Sequence, residues 1–145
     1  MTEVVLIRGL PGSGKSTYAQ KHFPNHKHYE ADMYFIEEDG TYFFNWRKLN
    51  DAHEWCQEMF KECVFNDQDV VITNTFTQDW EFDQYFIFLS EFPDVSIRVI
   101  DLKTQFQNIH GVPEEKMEAM RNRWHEWEEI QPQFKNLDIQ YEVVI

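Results

Sequence analysis

The sequence predicts an α/β protein, a doubly wound, five-stranded, mostly parallel sheet with helices on both faces, built from residues 1–145 as a single domain. Three observations lead there. Short apolar runs alternate with stretches of helical periodicity along the whole chain. The first run feeds straight into a glycine-rich turn and then a helix. The length of 145 residues is enough for one substantial core and too short for two.

Taken in order, Val4 to Ile7 is an apolar run of strand length, and Ser16 to Lys21 opens the first helix. After a Pro24-Asn25 turn signal, Lys27 to Glu30 reads as a second strand, ending just before Ala31-Asp32-Met33-Tyr34-Phe35. From Trp46 to Asn66 a long helix is expected, because Trp46, Leu49, His53, Cys56, Phe60 and Cys63 recur at helical spacing, with Ala52, Trp55 and Met59 widening the stripe. Val70 to Ile72 are β-branched and apolar, as in a strand buried on both faces. Gln78 to Phe92 reads as a helix with Phe82, Phe86 and Leu89 inside, closed by Pro93. Val95 to Leu102 is the fourth strand. Pro113-Glu114-Glu115 starts a further helix, with Met117, Met120, Trp124 and Trp127 as its stripe and Gln131-Pro132 as its stop. Ile139 to Ile145 reads as the last strand, and the crossovers between parallel strands are expected to be right-handed.

Residues 9–17, Gly-Leu-Pro-Gly-Ser-Gly-Lys-Ser-Thr, fit the G-x-x-x-x-G-K-[ST] phosphate-binding loop. Strand, glycine loop and helix is the context this chemistry requires. Glycine lets backbone N–H groups converge on phosphate oxygens, and the helix N-terminus adds partial positive charge. Gly12, Ser13, Gly14, Lys15, Ser16 and Thr17 are therefore the nucleotide-binding candidates. Lys15 is placed to reach the β- and γ-phosphates of ATP or GTP, and the Ser16 hydroxyl is the candidate ligand for Mg²⁺. The fold expected is thus that of the P-loop NTPases and kinases.

Beyond the loop the residues leave alternatives open. Asp32 follows the carboxyl end of a strand, where open α/β sheets bind ligands, so it suits a general base; a capping or turn Asp is equally common. His53 sits within an apolar stripe, where a histidine is more often a packed residue than a catalyst. Many P-loop proteins carry a metal-holding Asp at the end of the third strand. Here the candidates are Thr73 and Asn74, both neutral. Tyr42, Phe43 and Phe44 suit an exposed patch, although a compact aromatic core accounts for them more simply.

Net charge is −13, from 26 acidic and 13 basic residues, which disfavours a broad grip on duplex nucleic acid. A short single-stranded end in a local pocket remains compatible with it. No apolar run approaches the roughly 20 residues of a membrane span. The N-terminus lacks a basic n-region, so neither a membrane anchor nor a signal peptide is expected. Cys56 and Cys63 lack metal-ligand spacing and, seven apart, share a helix face as buried thiols. A reduced, cytoplasmic setting follows as the expectation.

Several pieces in order carry a family resemblance. They are the glycine loop, Ala31-Asp32-Met33-Tyr34-Phe35, Ala52-His53-Glu54-Trp55-Cys56-Gln57, Asn74-Thr75 with Trp80-Glu81, and His110-Gly111-Val112-Pro113 with Met117 and Arg123-Trp124. Together they resemble the small P-loop kinases related to the kinase domain of phage polynucleotide 5′-hydroxyl kinase, in particular the branch fused to a eukaryotic ubiquitin-ligase-binding protein and its stand-alone relatives. Nearly the whole chain takes part. The resemblance implies that Asp32 accepts the proton of an attacking 5′-hydroxyl on a nucleic acid or nucleotide. It also implies that His53 and Gln57 lie on a helix over the substrate side, and that residues from about Lys103 to Val112 form a lid containing Gln107 and His110. Gln107 stands before Asn108 where the kinases carry an arginine, which leaves Arg123, at a family position, and Arg121 as substitute cations. Met33 and Phe35 replace a second acid and an acceptor-side arginine, and Thr73, Asn74 and Phe76 replace polar residues around the third strand. These departures imply slow catalysis, or a nucleotide-binding module that acts through a protein partner.

Overall fold

The computed structural model describes residues 2–104 and 112–145. Five strands form one sheet: β1 (Glu3–Arg8), β2 (Lys27–Tyr29), β3 (Val70–Thr73), β4 (Ser96–Leu102) and β5 (Ile139–Val144). Their order across the sheet is β2-β3-β1-β4-β5 and every pairing is parallel. All carboxyl ends therefore share one edge. The chain adds strands on one side of β1 and then crosses to the other, so the order reverses beside β1, where ligands bind in open α/β sheets.

Side chains alternate between the faces of the sheet, as strand geometry requires. Val4, Leu6, Val70, Ile72, Ile97 and Val99 pack with Phe60, Phe82, Phe86, Trp127 and Phe134 on one face. Val5, Ile7, Val71, Ile100 and Leu102 pack with Ala19 and Phe23 on the other. The first face is covered by α2 (Leu49–Phe65), α3 (Asp79–Leu89) and α5 (Trp127–Ile130); α1 (Lys15–His22) covers the second. Burial on both faces explains why the central strands β1 and β3 read as unbroken apolar runs. Cys56 and Cys63 are buried free thiols, and burial pushes Cys56 up to about 11. No helix among the described residues is long and apolar enough to cross a membrane.

Two helices differ from the sequence expectation. Residues 46–48 form a separate 3₁₀ turn, started by the Asn45 side chain accepting from the Arg47 N–H. Trp46 is 69% exposed and Leu49 40%, so the stripe of α2 begins only at Ala52. The helix expected to run from Pro113 through Trp127 stops at Asn122 instead, as α4 (Glu114–Asn122). Glu126 then opens α5 through a capping box with Glu129. As expected, the helix closes at Gln131-Pro132: α5 ends at Ile130 with Gln131 as its C-cap, and Pro132 lies at the start of a 3₁₀ turn, Gln131–Phe134. The break lets Trp127 enter the core against Tyr141 while Trp124 turns to Arg8.

Candidate active site

The glycine loop emerges from β1 at the carboxyl edge. Gly12 and Gly14 take φ of 86° and 87°, the left-handed region that a side chain disfavours. Gly9 is tightly enclosed: a Cβ there would meet Ser13 Oγ at 2.6 Å and the Leu102 carbonyl at 2.9 Å. Gly14 is the N-cap of α1, so no side chain occupies the helix's first N–H groups. Lys15 Nζ folds back onto its own loop, donating to the carbonyls of Gly9 at 3.0 Å and Leu10 at 3.1 Å. Burial lowers its pKa to about 8, against the pull of the Glu30 and Asp32 carboxylates. The loop thus holds a cation short of counter-charge next to open helix N–H groups, a site made for a polyanion.

Beside Ser16 lies a compact set of oxygens. Glu30 Oε2 accepts from Ser16 Oγ and from Thr73 Oγ1, each at 2.7 Å. Thr73 Oγ1 also meets His28 Nε2 at 2.7 Å. Having given its own proton to Glu30, the Thr73 hydroxyl accepts from His28, which places the imidazole proton on Nε2. Burial lowers the His28 pKa, consistent with a neutral ring.

Asp32 lies in a 3₁₀ turn, Ala31–Phe35, directly after β2. Several contacts among the described residues position that turn. The Ala31 N–H donates to Asn74 Oδ1 at 3.0 Å. Ala31 and Phe35 pack on Ala52 of α2. A short loop turning at Gly40 pairs Ile36 with Tyr42 and brings the Tyr42 hydroxyl to Asp32 Oδ1 at 3.4 Å. Burial and Asp32 together push Tyr42 up to about 12, so it stays a neutral donor. His53, half-buried on α2 one turn before Gln57, is held neutral by burial against the pull of Glu81 and Asp32.

The structure thus gathers Lys15, Ser16, Asp32 and His53 at one edge. Asn74 is occupied in the fold: its amide ties the Asp32 turn and Cys56, and its backbone N–H reaches the Ile7 carbonyl at 3.3 Å. Phe35 is 5% exposed and supports the rings of Tyr42 and Phe44. Arg123 Nε donates to Thr77 Oγ1 at 3.3 Å and Arg121 pairs with Glu114 at 2.8 Å, both exposed. Arg121 also borders a cavity of about 250 Å³ between Leu10, Thr104 and Trp124. Gln107 and His110 lie outside the described residues.

Two residues were missed in the sequence. Glu30 looked like the end of a strand, and its role depends on hydroxyls 14 and 43 residues away. Arg8, 0% exposed, ends β1 and donates to the carbonyls of Phe76 at 2.8 Å and His125 at 2.8 Å beneath the Trp124 ring. A charged residue closing a buried apolar run was the available signal for it.

The profile of the AAA domain family matches residues 4–125. The chain belongs to that family. Over 129 residues it is 36% identical to NEDD4-binding protein 2 of Homo sapiens, covering 81% of this chain and 7% of that protein. The chain therefore spans a small part of that relative's length. Among solved structures, a chain of the Pnkp1/Rnl/Hen1 RNA repair complex matches with TM-score 0.64 and 15% identity, over 96% of this chain and 47% of that one. A sugar kinase from Janibacter sp. HTCC2649 matches with TM-score 0.52 and 17% identity, over 99% and 85% of the two chains. These likenesses agree on a kinase-like P-loop fold.

Proposed function

We propose that the chain is a nucleoside-triphosphate-dependent phosphotransferase that moves the γ-phosphate to a hydroxyl, with a 5′-hydroxyl of a short single-stranded nucleic acid or nucleotide as acceptor. The observation that carries the reading is that the glycine loop with Lys15, after β1, and the turn with Asp32, after β2, leave the sheet at the same carboxyl edge. The loop N–H groups and Lys15 bind the triphosphate and take up charge as the γ-phosphate leaves. Asp32, steadied by Tyr42, takes the proton from the acceptor hydroxyl. Ser16, a hydroxyl set against a carboxylate, offers hard oxygens suited to Mg²⁺, whose chemistry is to neutralise the phosphates. Arg123 and Arg121 are the cations available to assist, with His53 and Gln57 facing the acceptor.

The acceptor class rests on the polynucleotide-kinase resemblance and on one surface. Tyr42, whose hydroxyl meets Asp32, and Phe43 and Trp46 further along the chain are 50%, 71% and 69% exposed, and Arg47 lies over the Trp46 ring with Lys48 next in sequence. Aromatic faces with adjacent cations suit unstacked bases, despite the overall negative charge.

The test is transfer of labelled γ-phosphate from Mg·ATP and Mg·GTP to 5′-hydroxyl DNA and RNA oligonucleotides, nucleosides, sugars and water. Transfer to an oligonucleotide, absent in Lys15→Ala, is expected. Nucleotide binding with transfer to no acceptor would overturn the reading. It would favour a nucleotide-dependent binding module acting through a protein partner, in keeping with the neutral end of β3 and Gln107.

A further inference from the structure

The third strand ends without an acid. Thr73 is neutral and buried, and Asn74 is consumed by the turn that carries Asp32. P-loop proteins commonly hold their Mg²⁺ between the loop hydroxyl and an acid at that position. In this chain a carboxylate reaches the same place from the neighbouring strand. Glu30 follows β2, which is paired to β3 with Tyr29 beside Ile72, so its side chain needs only to cross one strand spacing to reach the Thr73 hydroxyl.

We propose that Glu30 supplies the missing acid: it accepts a hydrogen bond from the Ser16 hydroxyl, turns a Ser16 lone pair toward the triphosphate, and so sets the site's preference for Mg²⁺-loaded over metal-free nucleotide. The inference rests on the phosphate-loop reading of residues 9–17, although it does not need phosphoryl transfer to occur.

The hydrogen-bond directions support it. A serine hydroxyl has one proton, and here that proton points at Glu30 Oε2, 2.7 Å away. What remains on Ser16 Oγ is lone-pair density, which is what a hard cation takes. Thr73 and His28 hold the carboxylate from behind: Thr73 Oγ1 donates to the same oxygen, and His28 Nε2 lies 4.0 Å from it. Such outer partners fix the direction of a metal ligand and typically change metal affinity by about 10- to 100-fold when removed. Glu30 is thus a positioning residue. In the free protein its negative charge also offsets part of the burial effect on Lys15.

The test measures binding of a fluorescent ATP analogue with and without Mg²⁺, in the wild type, Glu30→Gln and Thr73→Val, with no acceptor present. Mn²⁺ binding to the nucleotide complex is followed by EPR on the same proteins. In Glu30→Gln, affinity for the Mg²⁺ complex is expected to fall about 10-fold or more. Affinity for metal-free nucleotide stays the same or rises, because a negative charge has left the site. Thr73→Val, which keeps the side-chain shape, gives an intermediate ratio and keeps the test sound if Glu30→Gln unfolds. Equal losses with and without metal, or an unchanged Mn²⁺ signal, would overturn the inference and leave the phosphotransferase reading intact. A lowered ratio in a protein that transfers phosphate to no acceptor would uphold the inference and refute that reading.

Discussion

Nucleotide binding should draw a proton onto Lys15. In the free protein burial holds its pKa at about 8, with the ammonium folded onto the Gly9 and Leu10 carbonyls. A bound triphosphate supplies the missing counter-charge and returns the group to its ordinary value of about 10.4. Lys15 is then about 0.9 protonated in the free protein at pH 7 and about 0.25 at pH 8.5, and almost fully protonated in the complex at either pH. Uptake on binding is therefore about 0.1 proton at pH 7 and about 0.75 at pH 8.5. Affinity falls as pH rises from about 8 to 10.4, approaching tenfold per unit. The sign for stability is the reverse. The unfolded chain holds more protons than the free folded protein in that window, so the Lys15 contribution to stability rises with pH. Calorimetric titration with Mg·ATP in buffers of different ionisation heat counts the protons, with Lys15→Met as control. Uptake below about 0.2 proton at pH 8.5 would show that Lys15 is already protonated in the free protein.

Further outcomes follow from other contacts. Gly9→Ala drives a Cβ into the Leu102 carbonyl, the backbone of a buried strand, so the loop must shift; nucleotide affinity should drop at least about tenfold, and a wild-type dissociation constant would count against the tight loop. Arg8→Met leaves the carbonyls of Phe76 and His125 unpaired and should cost about 3 kcal/mol in urea unfolding. Arg8→Lys, lacking the fork, should recover little of it, whereas full recovery would show that charge alone matters. Removing the exposed Trp46 ring as Trp46→Ala should raise the KM for an oligonucleotide acceptor several-fold and leave that for Mg·ATP unchanged; equal effects on both would rule out an acceptor-side role.

Much of this was legible in the sequence for a physical reason. The phosphate loop works through local backbone geometry, so Gly12, Gly14, Lys15 and Ser16 announce it within a few residues. Strands β1 and β3 are buried on both faces, so Val4 to Ile7 and Val70 to Ile72 needed no tertiary information. Periodicity failed where a local device overrode it: Asn45 starts a separate turn before α2, and Glu126 starts a new helix after α4. Trp46 and Trp124 fit a helical stripe by spacing alone, and only the fold shows one exposed and the other over Arg8. Glu30 was illegible because an acid's role is set by what faces it. Its partners Ser16 and Thr73 are brought together only when β2 pairs with β3.

In the proposed reaction a triphosphate on the glycine loop and an acceptor hydroxyl on Asp32 meet at one edge of the sheet. Single-turnover transfer from labelled Mg·ATP to a 5′-hydroxyl oligonucleotide by wild type and Asp32→Asn, with ATP affinity measured on both, tests it most directly. For Asp32→Asn, ATP affinity should be unchanged and the transfer rate should fall at least about 100-fold. Transfer by Asp32→Asn at the wild-type rate would contradict it.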